Sequence, residues 1–297
     1  MIDVAFIGLS IGSLLLLVSL GLAITYGSMG VINMAHGEMV MLGAYVNVLQ
    51  GIWLKIGFLA AIPIAFVTTA LIGFVIERVV VRRLYGRLLD TMLATWGIAI
   101  LLQEAVRLDF GLSLFGINIA GLGKGLQRVD APDWLTGVAT LAGVQINMYR
   151  SFIILLTAVL AAATWFLLYR TPLGIQVRAI MRNPQMAAAC GINVERVNAM
   201  TFAYGSGLAG IAGVMMAGFM TVSPDMGAPL VVDGFLVVVT GGLGSLLGTV
   251  LSAGILGEIN GYVSSLTTDV IARAADFAVL ILIIVFRPKG LFSFAER

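Results

Sequence analysis

Apolar residues in this chain come in long blocks rather than in the alternation of a half-buried strand or the spaced pattern of a half-buried helix. Val4–Tyr26 is the first block, followed by a glycine-rich interruption and by Met39–Leu49. Gly57–Ile76, Thr91–Val106, Ser151–Tyr169 and Asn198–Met220 come next. Two shorter pieces, Val231–Thr240 and Leu246–Leu256, flank a Gly-Gly-Leu-Gly-Ser stretch, and Val270–Phe286 closes the series. Hydrocarbon requires each spanning segment to satisfy its own backbone polar groups, so these blocks predict helices. The predicted fold class is all-α, a polytopic transmembrane helix bundle of about eight to ten spans, short, broken or re-entrant helices included. Met1-Ile2-Asp3 lacks the basic start of a cleaved signal peptide, so the first block is read as a retained helix. Glycines and prolines are spread evenly, which predicts one integral domain over residues 1–297.

Charge sharpens this picture. Only 32 residues are charged, 17 basic and 15 acidic, where a soluble chain of this length would carry about 74. So few charges exclude a soluble globule, a disordered chain and a nucleic-acid-binding surface. Eleven of the 17 basic residues fall in segments 77–90, 170–197 and 287–297. The bias of Lys and Arg toward cytoplasmic loops places all three segments in the cytoplasm. The N-terminus is then external, the C-terminus cytoplasmic, and 107–150 an external loop. Between Val197 and Arg287 the number of crossings is even, so the two short pieces form either a re-entrant pair or two short spans. A lone Cys190 and a lone His36 exclude a disulfide framework and a Cys/His zinc site, and no cofactor is expected in this chain.

Three polar regions carry candidate chemistry. Gly27 to Glu38 interrupts apolar sequence with glycines, Asn33, His36 and Glu38. Non-helical backbone at membrane depth survives inside protein or beside water, so the stretch is either a tight turn or part of a substrate path. Glu38 also suits the positive end of the helix that follows. The second region, Gly241–Ser245, is preceded by Asp233 and Thr240, and its glycines serve either close helix packing or a path. Thr95, in an otherwise apolar helix, predicts a hydrogen bond to helix backbone or to a neighbouring helix. The third region is Arg182-Asn183-Pro184-Gln185-Met186-Ala187-Ala188-Ala189-Cys190-Gly191-Ile192-Asn193. Asn183 suits an N-cap, Pro184 the first helical position and Gly191 the residue after the helix end. Asn193 can cap the next helix. The short helix between them, with Met186, Ala187, Ala188 and Cys190, suits a groove on a cytoplasmic partner better than the lipid surface, because it has no large aromatic residue.

Together these regions resemble the permease subunits of the branched-chain amino acid/amide class of ABC importers. Val31-Ile32-Asn33-Met34-Ala35-His36-Gly37-Glu38 is similar to that family's N-terminal signature, the loop ending Met186–Ile192 to its ATPase-coupling loop, and Arg287-Pro288-Lys289-Gly290-Leu291-Phe292 to its C-terminal ending. Within the class, Gly8–Thr25, Leu84–Gln103, Arg182–Gly191 and Val231–Gly244 look most like the urea-type permease, the first of its two permease subunits. Leu122-Gly123-Lys124-Gly125 departs from the shorter run expected before Ala131.

The resemblance implies a complex in the lipid bilayer of a bacterial inner membrane. It holds a second, different permease subunit, two cytoplasmic ATPase subunits and a periplasmic substrate-binding protein. The chain has no GxxxxGK[ST] phosphate loop, so ATP hydrolysis belongs to other chains and this one is not an enzyme. Arg182, Asn183, Pro184, Met186, Ala187, Ala188 and Gly191 are then the ATPase-coupling residues. The candidate substrate path holds Asn33, His36, Glu38, Thr95, Asp233 and Thr240. Urea or a short-chain amide is the expected substrate, with branched-chain amino acids as the alternative. Two rivals of other classes are a proton-coupled carrier working through Glu38, Asp233, Glu258 or Asp276, and a passive amide channel. An integral-membrane enzyme is disfavoured by the lack of an HExxH motif or a His/carboxylate cluster.

Overall fold

Long apolar blocks without interior breakers become helices, and the structure, a computed structural model, places them close to where the pattern does. It describes residues 2–51, 57–107, 126–129, 131–141, 144–287 and 290–291. The Leu122–Gly125 departure, part of the external loop, Lys289 and Phe292–Arg297 lie outside the described residues. The helices are α1 (Ile2–Met29), α2 (His36–Leu49), α3 (Phe58–Val79), α4 (Leu88–Arg107), α5 (Met148–Arg170), α6 (Pro172–Arg182), α7 (Pro184–Ala189), α8 (Val194–Ala217), α9 (Gly227–Gly241), α10 (Leu246–Leu266) and α11 (Asp269–Phe286). Among the described residues six are long and apolar enough to cross a bilayer: α1 from Asp3, α3, α4, α5, α8 and α10. The fold is a polytopic helical bundle.

Two helices are short for a crossing. α2 has 14 residues and α9 has 15, which at 1.5 Å per residue gives about 21 and 22 Å against a hydrocarbon core of roughly 30 Å. Before α5, β1 (Val138–Leu141) and β2 (Val144–Asn147) pair antiparallel, with Val138 opposite Asn147. Asn147 then caps α5, its side-chain oxygen accepting from the Tyr149 and Arg150 amides at 2.9 and 3.3 Å.

The end of α10 differs from expectation. The sequence predicts a short piece ending at Leu256, but α10 runs on to Leu266 over 21 residues. The polar stretch that looks like an end, Gly257-Glu258-Ile259-Asn260-Gly261, is satisfied sideways. The Asn260 amide donates to Asp276 of α11 at 2.6 Å. Gly257 and Gly261 lie against the backbones of Gly12 and Gly8 in α1. Four glycines at i, i+4 spacing on two helices thus let α1 and α10 touch backbone to backbone.

The chain divides into two compact units. The first holds residues 1–28, 131–197 and 233–297, which include the α1–α10 contact just described. The second holds 29–130 and 198–232 and is organised around α8. Gly207 faces the Phe66 ring and Gly210 faces Thr69 and the Ala65 carbonyl, all on α3. The Gly210 backbone also fills the space over Gly43 of α2, and Gly213 faces the Val40 carbonyl and Ala44 amide of α2. One face of α8 therefore takes both neighbours at backbone distance. At the base of this unit Val31, Val81 and Phe202 form a buried cluster with Met29, Ile76 and Tyr85 against it. The Tyr85 hydroxyl there donates to the fully buried carboxylate of Glu77.

Candidate functional site

The break between α1 and α2 is shorter than the sequence suggests. Helix α1 continues through Gly27 to Met29, and α2 begins at His36, so His36 and Glu38 belong to a helix and only 30–35 is irregular. Gly30 turns the chain with φ +64°, a conformation open to glycine at little cost. Asn33 then folds the loop, its side-chain oxygen accepting from the Ala35 amide at 3.1 Å and its carbonyl from the His36 amide at 3.3 Å. Thr95 of α4 pins the loop from outside, its hydroxyl accepting from the Met34 amide at 3.1 Å while donating within its own helix to Thr91 at 2.9 Å. Of the two partners expected for Thr95, helix backbone is the one observed, and the hydroxyl also holds loop backbone rather than a neighbouring helix. Thr95→Val is expected to leave that amide unpaired at a cost of about 1–3 kcal/mol. A thermal melt of the detergent-solubilised protein checks this, and Thr95→Ser should restore the midpoint.

The start of α2 meets the start of α9. A Cβ on Gly37 would overlap the Gly227 carbonyl, and one on Gly227 would lie 2.7 Å from the Glu38 carboxylate. Two short helices therefore bring their N-terminal ends to one point, and Glu38, only 3% exposed, sits there. Helix N-termini carry partial positive charge, which favours a carboxylate in this position. Asn33 Nδ2, Glu38 Oε2, Tyr45 Oη and Asn47 Nδ2 are all buried without a hydrogen-bond partner among the described residues, although Asn47, nine residues beyond Glu38, is on the opposite face of α2. Tyr45 is two turns beyond Glu38 and shares its face of α2. Two residues before Gly227, Asp225 takes an ion pair from Arg107 and a hydrogen bond from Gln103 at 3.3 Å. Glu104 holds the same guanidinium at 2.8 Å.

The structure thus brings Asn33, His36, Glu38 and Thr95 into one unit. Asp233 and Thr240 belong to the other unit. Asp233 is not at the glycine break but inside α9, where it accepts from Arg273 of α11 at 2.5 Å. An ion pair lets a carboxylate sit in an apolar helix, so the sequence had no need of a break beside it. Thr240 is fully buried with its hydroxyl unpartnered among the described residues, and its carbonyl accepts from Leu291 at 3.0 Å. The break itself is packed: Gly241 lies against Gly248, Gly242 against Gly290, and Gly244 beside Gly27. Of the two roles open to these glycines, close packing is the one observed.

The 182–193 segment folds as its residue types dictate. The Asn183 side chain caps α7 at the Met186 amide, 3.0 Å, with Pro184 at the first helical position. Gly191 takes φ +84°, and the amides of Gly191 and Ile192 close back on Ala188 and Ala187 at 2.9 and 3.1 Å, a Schellman end. Asn193 caps α8 at Arg196, 3.0 Å. Arg182, Ala188, Cys190 and Gly191 are exposed, as is Met186 at 62%. Ala187 differs from expectation, being buried. A helix of six residues shows only part of its girth, and Ala187 is on the side turned into the chain.

Tyr45, Asn47 and Gly227 were absent from the sequence-derived set. The first two were visible as polar groups inside an apolar block. Gly227 gave no signal, because only the approach of α2 makes it special.

Comparison with known proteins decides the family. The family described as "Branched-chain amino acid transport system / permease component" matches residues 4–286. The chain belongs to this branched-chain amino acid transport permease family. The chain is similar to the high-affinity branched-chain amino acid transport system permease protein LivH of Escherichia coli (strain K12), 30% identical over 98% of this chain and 95% of that protein. BraD of Pseudomonas aeruginosa, of the same description, is 28% identical over 97% and 94%. The ribose import permease protein RbsC of E. coli (strain K12) is more distant, 25% identical over 93% and 80%. No solved structure matches. As a family member the chain is a multi-pass inner-membrane permease subunit of an ABC importer, a class that works with ATPase and substrate-binding partners.

Proposed function

We propose that this permease carries a branched-chain amino acid, recognised along its path by Asn33, Glu38 and Tyr45. The observation that carries this reading is the set of buried polar atoms on Asn33, Glu38 and Tyr45 that have no hydrogen-bond partner among the described residues. Unpaired polar groups at membrane depth are costly unless a passing ligand uses them. An amino acid presents an ammonium, which a carboxylate accepts, and a carboxylate, to which an amide and a phenol donate. The names of LivH and BraD support the same substrate class.

Urea is the second reading. Four stretches, Gly8–Thr25, Leu84–Gln103, Arg182–Gly191 and Val231–Gly244, favour it. The likeness to a ribose permease at 25% identity shows how little substrate chemistry the shared scaffold imposes. The same amide and carboxylate would serve urea's carbonyl and N–H groups.

In this proposal the chain pairs with a second, different permease, its N-terminus is external, and a periplasmic binding protein delivers substrate. Two ATPases take hold of α7 at Met186 and Ala188, and their closure moves α7. Uptake of labelled leucine and labelled urea by the complex reconstituted in proteoliposomes tests it. The expected result is ATP-dependent leucine uptake that ignores a collapsed proton gradient. Urea uptake in its place establishes the second reading. Uptake driven by the proton gradient, or conduction without ATPases, overturns the proposal in favour of a carrier or channel. Glu38→Gln is expected to lower leucine uptake about 10- to 100-fold, the value of a hydrogen bond to a charged group.

A further inference from the structure

The outer face of α5 carries Leu155, Val159, Ala162 and Phe166, all exposed. They recur at i, i+4, i+7 and i+11 and so form one apolar stripe along the helix. The next position on that stripe, one turn on, is Arg170, the last residue of α5. There the surface changes character. Trp165, 42% exposed, and Tyr169 stack with ring centroids 5.8 Å apart. The Arg170 guanidinium lies 5.9 Å from the Trp165 centroid, and Arg178 of α6 lies 4.9 Å from that of Tyr169.

The second arginine is held there by the fold. Thr171 caps α6 at the Gly174 amide, 3.2 Å, and donates back to Leu167 of α5 at 2.6 Å. A Cβ on Gly174 would overlap the carbonyls of Leu167 and Leu168, so α6 begins in direct contact with the end of α5. Arg178 Nε donates to the Gly174 carbonyl at 3.4 Å, which leaves its terminal nitrogens for another partner. No carboxylate pairs with Arg170 or Arg178 among the described residues.

We propose that the junction of α5 and α6 holds the headgroup of an anionic phospholipid, its phosphate between Arg170 and Arg178 and its acyl chain along the Leu155–Phe166 stripe. Guanidinium groups bind phosphate through paired N–H donors and shed water more readily than ammonium groups do. Aromatic rings at the polar end of a lipid-facing stripe mark the headgroup level of a bilayer. Two cations without a carboxylate match a lipid of net negative charge. A zwitterionic headgroup brings its own cation, which the arginines repel.

Quenching of Trp165 fluorescence by acyl-brominated lipids tests this on the full-length chain in nanodiscs. A Trp165→Phe chain isolates the Trp165 signal by difference. Brominated phosphatidylglycerol is expected to quench that signal at least about twofold more than brominated phosphatidylcholine at equal mole fraction, following the attraction of basic residues for anionic lipid. R170Q combined with R178Q should abolish the preference and leave quenching by phosphatidylcholine unchanged. Equal quenching by the two lipids in the unmodified chain overturns the proposal whatever the variants do. So does a preference that survives the double substitution. If the Gln pair does not extract as a monodisperse protein, R170K with R178K takes its place. The Lys pair should weaken the preference, because ammonium keeps the charge but loses the paired donors, and an unweakened preference overturns the clamp. A double variant that keeps its lipid preference but loses its ATPase subunits on purification assigns the arginines to a protein partner instead.

Discussion

Gly213→Leu abolishes the folded permease in our expectation, leaving less than about a tenth of the monodisperse protein after detergent extraction. A Cβ at this position meets the Val40 carbonyl and the Ala44 amide of α2. These are backbone atoms of a helix and cannot rotate away. Overpacking a core with a side chain that can adjust typically costs about 1–3 kcal/mol. Here α2 itself must move off α8, and with it the Gly43–Gly210 contact and the junction at Glu38. The control is Gly97→Leu in α4. Gly97 is also a glycine in an apolar helix, but nothing lies within 4 Å of the Cβ it would gain. That substitution should leave the yield unchanged or raise it, since leucine favours a helix over glycine by about 1 kcal/mol. Size-exclusion profiles of the two variants side by side give the answer. Equal yields would mean that α8 and α2 are not in backbone contact.

The largest functional effect is expected from the 184–191 segment. Replacing it with a Gly/Ser linker of equal length should reduce ATP-driven uptake at least about 100-fold while the permease still extracts as a folded protein, a loss of roughly 2.7 kcal/mol or more in coupling. The segment is a rigid unit because both ends are closed, by Asn183 at the start and by the Gly191 and Ile192 amides at the finish. A flexible linker of the same length transmits displacement poorly because its own freedom absorbs it. The folded state should survive, since only Ala187 of α7 is buried. Milder variants should grade the effect. Asn183→Ala removes the cap at about 1 kcal/mol, and Gly191→Val forces a branched side chain to φ +84°, a conformation costly for such residues. ATPase activity measured beside uptake separates uncoupling from failed assembly. Uptake that survived the linker would remove α7 from the coupling role.

The candidate site was partly legible. Asn33, His36 and Glu38 stand out because polar residues in an apolar block are rare and costly, and Thr95 for the same reason. Their partners were not legible. Nothing local tells that Thr95 reaches the Met34 amide 61 positions away, or that Gly227 receives the Glu38 carboxylate. Asp233 was noticed, but its neutralising partner Arg273, 40 positions on, was not legible. The polar stretch at 257–261 suggested a helix end for a similar reason: its partners, Gly8, Gly12 and Asp276, lie on other helices.

The sequence by itself determined the class of solvent, the rough limits of most apolar helices, and the shape of the 182–193 segment. These depend on hydrocarbon burial and on caps that act within a few residues, so local composition is enough. Only the tertiary structure decided which glycines are indispensable, where the two short helices meet, and which charges are paired. Gly97 and Gly213 look alike along the chain, and they differ only in whether another backbone comes within reach.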